Sequence, residues 1–247
     1  MTTSFRATSG RVASGAVATR KEFNLSETKF QDAVRQQDGL LAAWEKHCLL
    51  WLAHRMPASV QPDHLTLLGF AAMLFAGASY ALAPWWPPML LVVNFWLAVN
   101  WFGDSLDGTL ARVRNRQRPR YGFYVDHMVD AFGTLFLVGG LALSGYMGEW
   151  VAVAVLVTFY LLAINSYLAT YALGTFQLSF CRFGPTEARI LLAIGNVVAL
   201  VRPTVTAFGP PLRFFDVGGA VAVAAMLVVL GVSVVSNTRK LYRAERV

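Results

Sequence analysis

Residues 100–130 read NWFGDSLDGTLARVRNRQRPRYGFYVDHMVD. This stretch joins the ends of two long apolar segments and puts Asp104, Asp107, Asp126 and Asp130 there, with Arg112, Arg114, Arg116, Arg118 and Arg120 between the two acidic pairs. On a helix, Asp104 and Asp107 stand at i and i+3, and Asp126 and Asp130 at i and i+4, so each pair projects from one face. Two antiparallel helices joined by the arginine loop are expected to bring the pairs together. The flanking segments, 88–112 and 121–144, are long enough to span a bilayer core about 30 Å thick, which takes on the order of 20 apolar residues.

An Asp at the middle of a membrane helix costs roughly 2.5–3.5 kcal/mol. Four of them, even near the interface, call for compensating positive charge. Two hard divalent cations such as Mg²⁺ or Mn²⁺, which prefer oxygen ligands, would neutralise the set. The histidines at 47, 54, 64 and 127 form no zinc-like spacing with Cys48 and Cys181. His127, beside Asp126, reads as a packing neighbour rather than a ligand.

Working outward, four further apolar stretches follow the same pattern, 63–83, 149–174, 186–203 and 215–238, making six spans. Their breaks fall at prolines and glycines, except at the arginine loop, where charge ends the apolar run. The whole chain agrees: of 247 residues 56% are apolar and only 14% charged, against roughly a quarter charged in soluble domains. That excludes an ordinary soluble enzyme, a disordered chain and a disulfide scaffold. The formal charge of +7 suits anionic lipid headgroups in this composition, and no nucleic acid polymer is expected as a partner.

Lys and Arg number 19 in residues 1–60, 112–120, 182–189 and 239–247, against two, Arg202 and Arg213, in the opposite connections. The positive-inside rule therefore puts both termini and the acidic cluster on the cytoplasmic side. Residues 1–37 read as a cytosolic tail, partly disordered, with no signal-peptide pattern. Over 38–56, Leu41, Trp44, Cys48 and Leu52 recur at helical spacing, which predicts either an amphipathic helix lying on the interface or a helix packed on the protein's own core. The expected fold is thus an all-α integral membrane domain over 38–247: an interfacial helix, then six transmembrane helices between about 63 and 238.

Gly108 follows Asp107 inside a helix, where Gly costs roughly 1 kcal/mol relative to Ala. It serves either close helix packing or clearance for a flat nucleobase. Arg112, one turn on, is a fixed cation able to hold phosphate through two parallel hydrogen bonds. The other loop arginines suit a topology role.

Asp104-x-x-Asp107-Gly108-x-x-Ala111-Arg112, followed by Gly122-x-x-x-Asp126-x-x-x-Asp130, resembles the signature of the CDP-alcohol phosphotransferases (CDP-alcohol phosphatidyltransferases), membrane enzymes of phospholipid synthesis. Eight residue types at near-fixed spacing carry the resemblance, which extends over about 40–240. It implies six membrane helices after an interfacial helix, a homodimer, and a cytoplasmic-face site for a CDP-linked donor and a lipid substrate. It also implies Asp104, Asp107 and Asp126 as ligands of two divalent cations, and Asp130 as a further ligand and general base, with Asp126 beside it in the chemistry. Gly108, Ala111 and Arg112 would bind CDP together with Asp107, with Gly122 giving clearance. Pro62-x-x-Leu65-Thr66 resembles the family's Pro-Asn-x-x-Thr element near the nucleotide, with Asp63 in place of Asn.

Gly184-Pro185-Thr186-Glu187 resembles an element of the branch that transfers phosphocholine or phosphoethanolamine to diacylglycerol. A helix start with Pro185 at its first position and Glu187 in its first turn would select the same residues. The competing branch attaches inositol phosphate, glycerol phosphate, serine or inositol to a CDP-diacylglycerol-derived lipid. Arg118, Arg120 and Glu187 are the candidate contacts for the remaining substrate. A transporter and a non-catalytic scaffold are the readings from other classes. A transporter predicts ionisable groups along the whole path, and 90–98 and 132–143 have none; a scaffold predicts loss of a motif Asp, and none is missing.

Overall fold

A computed structural model describes residues 34–36, 42–173, 175–177, 184–206 and 209–245, all within the compact unit Gln31–Val247. The expected tail over 1–37 lies outside the described residues except at its end, as do Leu41, Cys181 and Arg182. Seven helices are described: α1 (Ala42–Arg55), α2 (Pro62–Leu82), α3 (Met89–Val113), α4 (Pro119–Leu143), α5 (Glu149–Leu173), α6 (Pro185–Val201) and α7 (Phe214–Ala244). Pro62, Pro119 and Pro185 each open a helix, where the missing N–H costs nothing because that donor has no intrahelical partner. Their bounds follow the apolar segments closely, but α7 continues through Arg239, Lys240 and Arg243 beyond its apolar part.

One feature departs from the all-helical expectation, and a second bears on the number of spans. The chain also forms four short strands, β1 (Val34–Gln36), β2 (Thr175–Gln177), β3 (Thr204–Val205) and β4 (Leu212–Arg213). β1 pairs in parallel with β2, with Val34 opposite Thr175, so the end of the expected tail is tied to the α5–α6 connection. β3, directly after Pro203, pairs antiparallel with β4, directly after the Pro210-Pro211 pair, and these prolines cannot continue a helix. In addition, five helices, α2 to α5 and α7, are long and apolar enough to cross a membrane. The 17 residues of α6 rise about 26 Å at 1.5 Å per residue, short of the roughly 30 Å core.

α1 presents two different faces. Trp44 and Cys48 face outward, while the residues that α1 buries, Leu49 and Ala53, pack with Leu106 and Leu110 of α3. One face of α1 therefore belongs to the protein core. The other presents Trp44 and Trp51, with the Arg55 guanidinium 4.0 Å from the Trp51 ring centroid.

α2 is the central helix: it packs extensively on α3 and on α4, which have no extensive contact with each other. Small residues make this possible. A Cβ at Gly103 would lie 2.5 Å from the Leu65 carbonyl oxygen, and one at Gly140 would overlap the Gly77 backbone. Away from the acidic cluster, Tyr80, Leu90, Val93, Leu97, Leu141 and Phe215 form the larger apolar core. A polar chain runs through it: Tyr80 donates to Asn196 Oδ1 at 2.6 Å, Asn196 to Asn94 Oδ1 at 2.7 Å, and Asn94 to the Ala193 carbonyl at 3.1 Å. Asn165 of α5 donates to Ser233 of α7 at 2.9 Å. Outside, Val153, Val157, Leu161, Ile164 and Leu168 form an exposed apolar stripe along α5. Polar groups paired inside and an apolar face outside are the arrangement of a multi-pass membrane protein.

Candidate active site

Leu106 and Leu110 turn one face of α3 into the protein, which leaves Asp104, Asp107, Gly108 and Ala111 half-buried on the neighbouring faces. Asp107 is held from α2, where the Thr66 hydroxyl donates to its Oδ2 at 2.5 Å, and its Oδ1 accepts from the Gly108 N–H at 2.5 Å. Asp104 is held from α6. Arg189 Nη2 lies 2.5 Å from Asp104 Oδ2, while its Nε donates to Asn100 Oδ1 at 2.8 Å. Asn100 in turn donates to the Gly69 carbonyl at 3.0 Å. Three helices thus meet at the first acidic pair.

Asp126 and Asp130 stand on α4. Asp104 and Asp126 both bear electrostatically on Asp107, and Asp126 and Asp130 both on Tyr167 of α5. His127 donates from Nδ1 to the Phe123 carbonyl at 2.6 Å, and its ring packs 4.2 Å from Phe123 and 4.8 Å from Tyr167. That is the packing role expected of it.

The four carboxylates offer only oxygen donors, which suits a hard divalent cation. Among the described residues, however, no three of His, Cys, Asp and Glu converge on one point. α2 packs on both α3 and α4, which make no extensive contact along their lengths, and Asp126 of α4 bears electrostatically on Asp107 of α3.

Gly108 is open rather than packed. Among the described residues, a Cβ there would meet only Arg112 Nη1, at 3.6 Å, and one at Gly122 would meet nothing within 4 Å. Arg112 Nη2 donates to Thr109 Oγ1 at 3.0 Å. Of the loop arginines, Arg114 donates to the carbonyls of Val60, Met56 (3.0 Å) and Pro57 (2.8 Å), tying the α1–α2 connection to the end of α3. Arg118 pairs with Asp63 and stacks 4.1 Å from the Tyr121 ring centroid. The Asp at position 63 thus engages the start of α4. Arg120 is half-buried at that same start.

Glu187 Oε2 accepts from the Gly184 N–H at 2.9 Å, closing the first turn of α6. Next to it, Thr186 donates to Glu45 Oε1 at 3.0 Å. Sequence reasoning saw Arg189 only as part of a basic region and missed Glu45 and Tyr167. An acid inside the apolar run 38–56 was the available signal for Glu45; Tyr167 carried none, since its partners lie on another helix.

The chain matches the family model described as CDP-alcohol phosphatidyltransferase over residues 59–235. Among curated proteins it is 27% identical over 212 residues to cholinephosphotransferase 1 of Gallus gallus, covering 79% of this chain and 61% of that one. It is 31% identical over 113 residues to archaetidylinositol phosphate synthase of Pyrococcus horikoshii, covering 46% and 53%. It is also 33% identical over 144 residues to CDP-diacylglycerol–serine O-phosphatidyltransferase of Encephalitozoon cuniculi, covering 52% and 36%. The matches therefore span between about a third and three fifths of these relatives' lengths. With the family model extending from the foot of α2 into α7 and enclosing all four aspartates, the chain belongs to the CDP-alcohol phosphatidyltransferase family.

Proposed function

We propose that this chain is a metal-dependent phospholipid-synthesising transferase, which moves a substituted phosphate from a CDP-linked donor to an alcohol hydroxyl and releases CMP. The observation that carries this reading is the treatment of α3: Thr66 from α2 and Arg189 from α6 fix its two aspartates, while Gly108, adjoining them, is left open. A merely structural acidic pair would not need a bare backbone beside it.

In this reading Asp104, Asp107, Asp126 and Asp130 hold two divalent cations, Mg²⁺ or Mn²⁺, which supply neutralisation of the pyrophosphate charge when bound. Gly108, Ala111 and Gly122 admit the CDP moiety, with Thr66 setting the orientation of Asp107. Arg112 grips a phosphate through its planar fork. The Asp130 carboxylate takes the proton of the attacking hydroxyl, whose oxygen forms a new P–O bond as the bond to CMP breaks. Positioning and fixed charge supply most of the rate in such transfers. Arg118, Arg120 and Glu187 border the remaining substrate.

The favoured donors are CDP-choline and CDP-ethanolamine, with diacylglycerol as acceptor. Supporting this are the Gly184–Glu187 element and the 79% of this chain covered by a cholinephosphotransferase match. The second reading, transfer from CDP-diacylglycerol to a polar alcohol, is favoured by the two relatives of other specificity and by the Arg189 guanidinium at the site. In the bilayer, α6 completes six spans, both termini face the cytoplasm with the acidic site, and two copies assemble as a homodimer.

Purified protein with Mg²⁺ or Mn²⁺ should release CMP in one of two crossed sets: CDP-choline or CDP-ethanolamine with diacylglycerol, or CDP-diacylglycerol with a panel of polar alcohols. Release in the first alone supports the favoured branch, and release in the second alone replaces it. Release in neither overturns the proposed activity.

A further inference from the structure

The half-buried carboxylate of Glu45, on the helix that precedes the first span, has no part in the reaction just described. Yet its Oε1 accepts three hydrogen bonds, from Trp101 Nε1 at 2.8 Å, Ser105 Oγ at 3.1 Å and Thr186 Oγ1 at 3.0 Å. Two donors lie on α3 and one on α6, so a single oxygen of α1 joins the two helices. The sites it joins adjoin the acidic cluster. Ser105 follows Asp104 directly, and its carbonyl accepts from Thr109, the residue that receives Arg112. Thr186 stands three residues before Arg189, whose guanidinium holds Asp104 and Asn100.

We propose that Glu45 is a positioning residue of the active site: through Thr186 it seats the first turn of α6 on α3, and so aims Arg189 at Asp104. This rests on the transfer activity proposed above. Because α6 is short and Arg189 leaves its first turns, a small tilt of its start would withdraw the guanidinium from Asp104. The three donors all use Oε1, so Glu45 acts as a hydrogen-bond acceptor and its charge is not required.

The test compares Glu45→Gln, Glu45→Ala, Thr186→Val and the Glu45→Ala/Thr186→Val double variant in the CMP-release assay, with thermal unfolding of each purified protein. Gln keeps an acceptor oxygen at the same place, so E45Q should stay within about threefold of wild-type kcat. Both E45A and T186V should lose about tenfold or more in kcat, with KM for the CDP donor changed less than about twofold. The double variant should fall no more than about twofold below the worse single one, since both remove one link. Multiplying losses in the double variant, a loss in E45Q as deep as in E45A, or near-normal kcat in E45A would each overturn the positioning role while leaving the transferase reading intact. A uniform drop in unfolding temperature with kcat preserved would do the same. Wild-type protein inert toward every donor would instead remove the transferase reading itself, and the positioning role with it.

Discussion

Arg189 and Asp104, 85 residues apart in sequence and on different helices, meet with Nη2 2.5 Å from Oδ2. The same guanidinium also donates from Nε to Asn100, one turn before Asp104 on α3. This two-point hold depends on a planar fork. A lysine offers a compact ammonium that cannot reach both acceptors in that geometry. Arg189→Lys is therefore expected to lower kcat about tenfold, equivalent to about 1.4 kcal/mol, with the protein still inserted and folded. CMP release against expression and gel-filtration profile checks it; unchanged kcat would mean that the pair has no part in turnover.

Asp107→Asn and Asp130→Asn are expected to abolish transfer while leaving insertion intact. Each replaces a carboxylate by a neutral amide of nearly the same shape, so packing is conserved and the anionic donor is lost. Turnover above about a tenth of wild type in either variant would count against the role assigned to that residue.

Thr66→Val tests the support of Asp107 rather than the carboxylate itself. The change keeps the β-branched shape and deletes only the hydroxyl that donates to Oδ2. Leaving a half-buried acceptor without its donor costs roughly 1–3 kcal/mol, so kcat/KM should fall about 5- to 150-fold. Thr66→Ser, which restores the donor, should recover most of the loss; equal loss in both variants would point to packing instead.

Removal of divalent cations by a chelator should stop CMP release, and Mg²⁺ or Mn²⁺ added in excess should restore it. Four carboxylates offering only oxygen donors suit a hard divalent cation. Undiminished activity in excess chelator would leave those carboxylates with a different task.

Much of this was legible in the chain because membrane helices announce themselves by length and composition. Pro185 marked one helix start, and the Asp104–Asp130 pattern marked the family. What was not legible depended on which helices touch. Nothing local says that α2 packs on both α3 and α4, since the deciding residues, Gly69, Gly77, Gly103 and Gly140, report close approach without naming a partner. For α1 the sequence left two readings open, an interfacial helix and a helix packed on the core, and Leu49, Leu52 and Ala53 pack on α3 while Trp44 and Cys48 stay outside. The count of spans turned on α6, whose 17 residues sit at the margin of what crosses a bilayer. The partners of Arg189 and Glu45 were not legible because they lie about 60 or more residues away.

The glycines give the sharpest separation between fold and function. Gly140 faces the Gly77 backbone, and a methyl group there has nowhere to go because the obstacle is main chain rather than a side chain that could turn away. Gly140→Ala must therefore push α2 and α4 apart, at a cost above the roughly 1–3 kcal/mol of ordinary overpacking. Gly108 and Gly122 have open space where a methyl group would stand, and within a helix Ala is favoured over Gly by roughly 1 kcal/mol. Gly108→Ala and Gly122→Ala should consequently fold as well as wild type or better, yet raise KM for the CDP donor about tenfold if that space admits the nucleotide. Thermal unfolding paired with donor titration reads both effects on the same samples. Normal KM in Gly108→Ala would move the nucleotide elsewhere, and a well-folded Gly140→Ala would break the account of how α2 holds the two acidic helices.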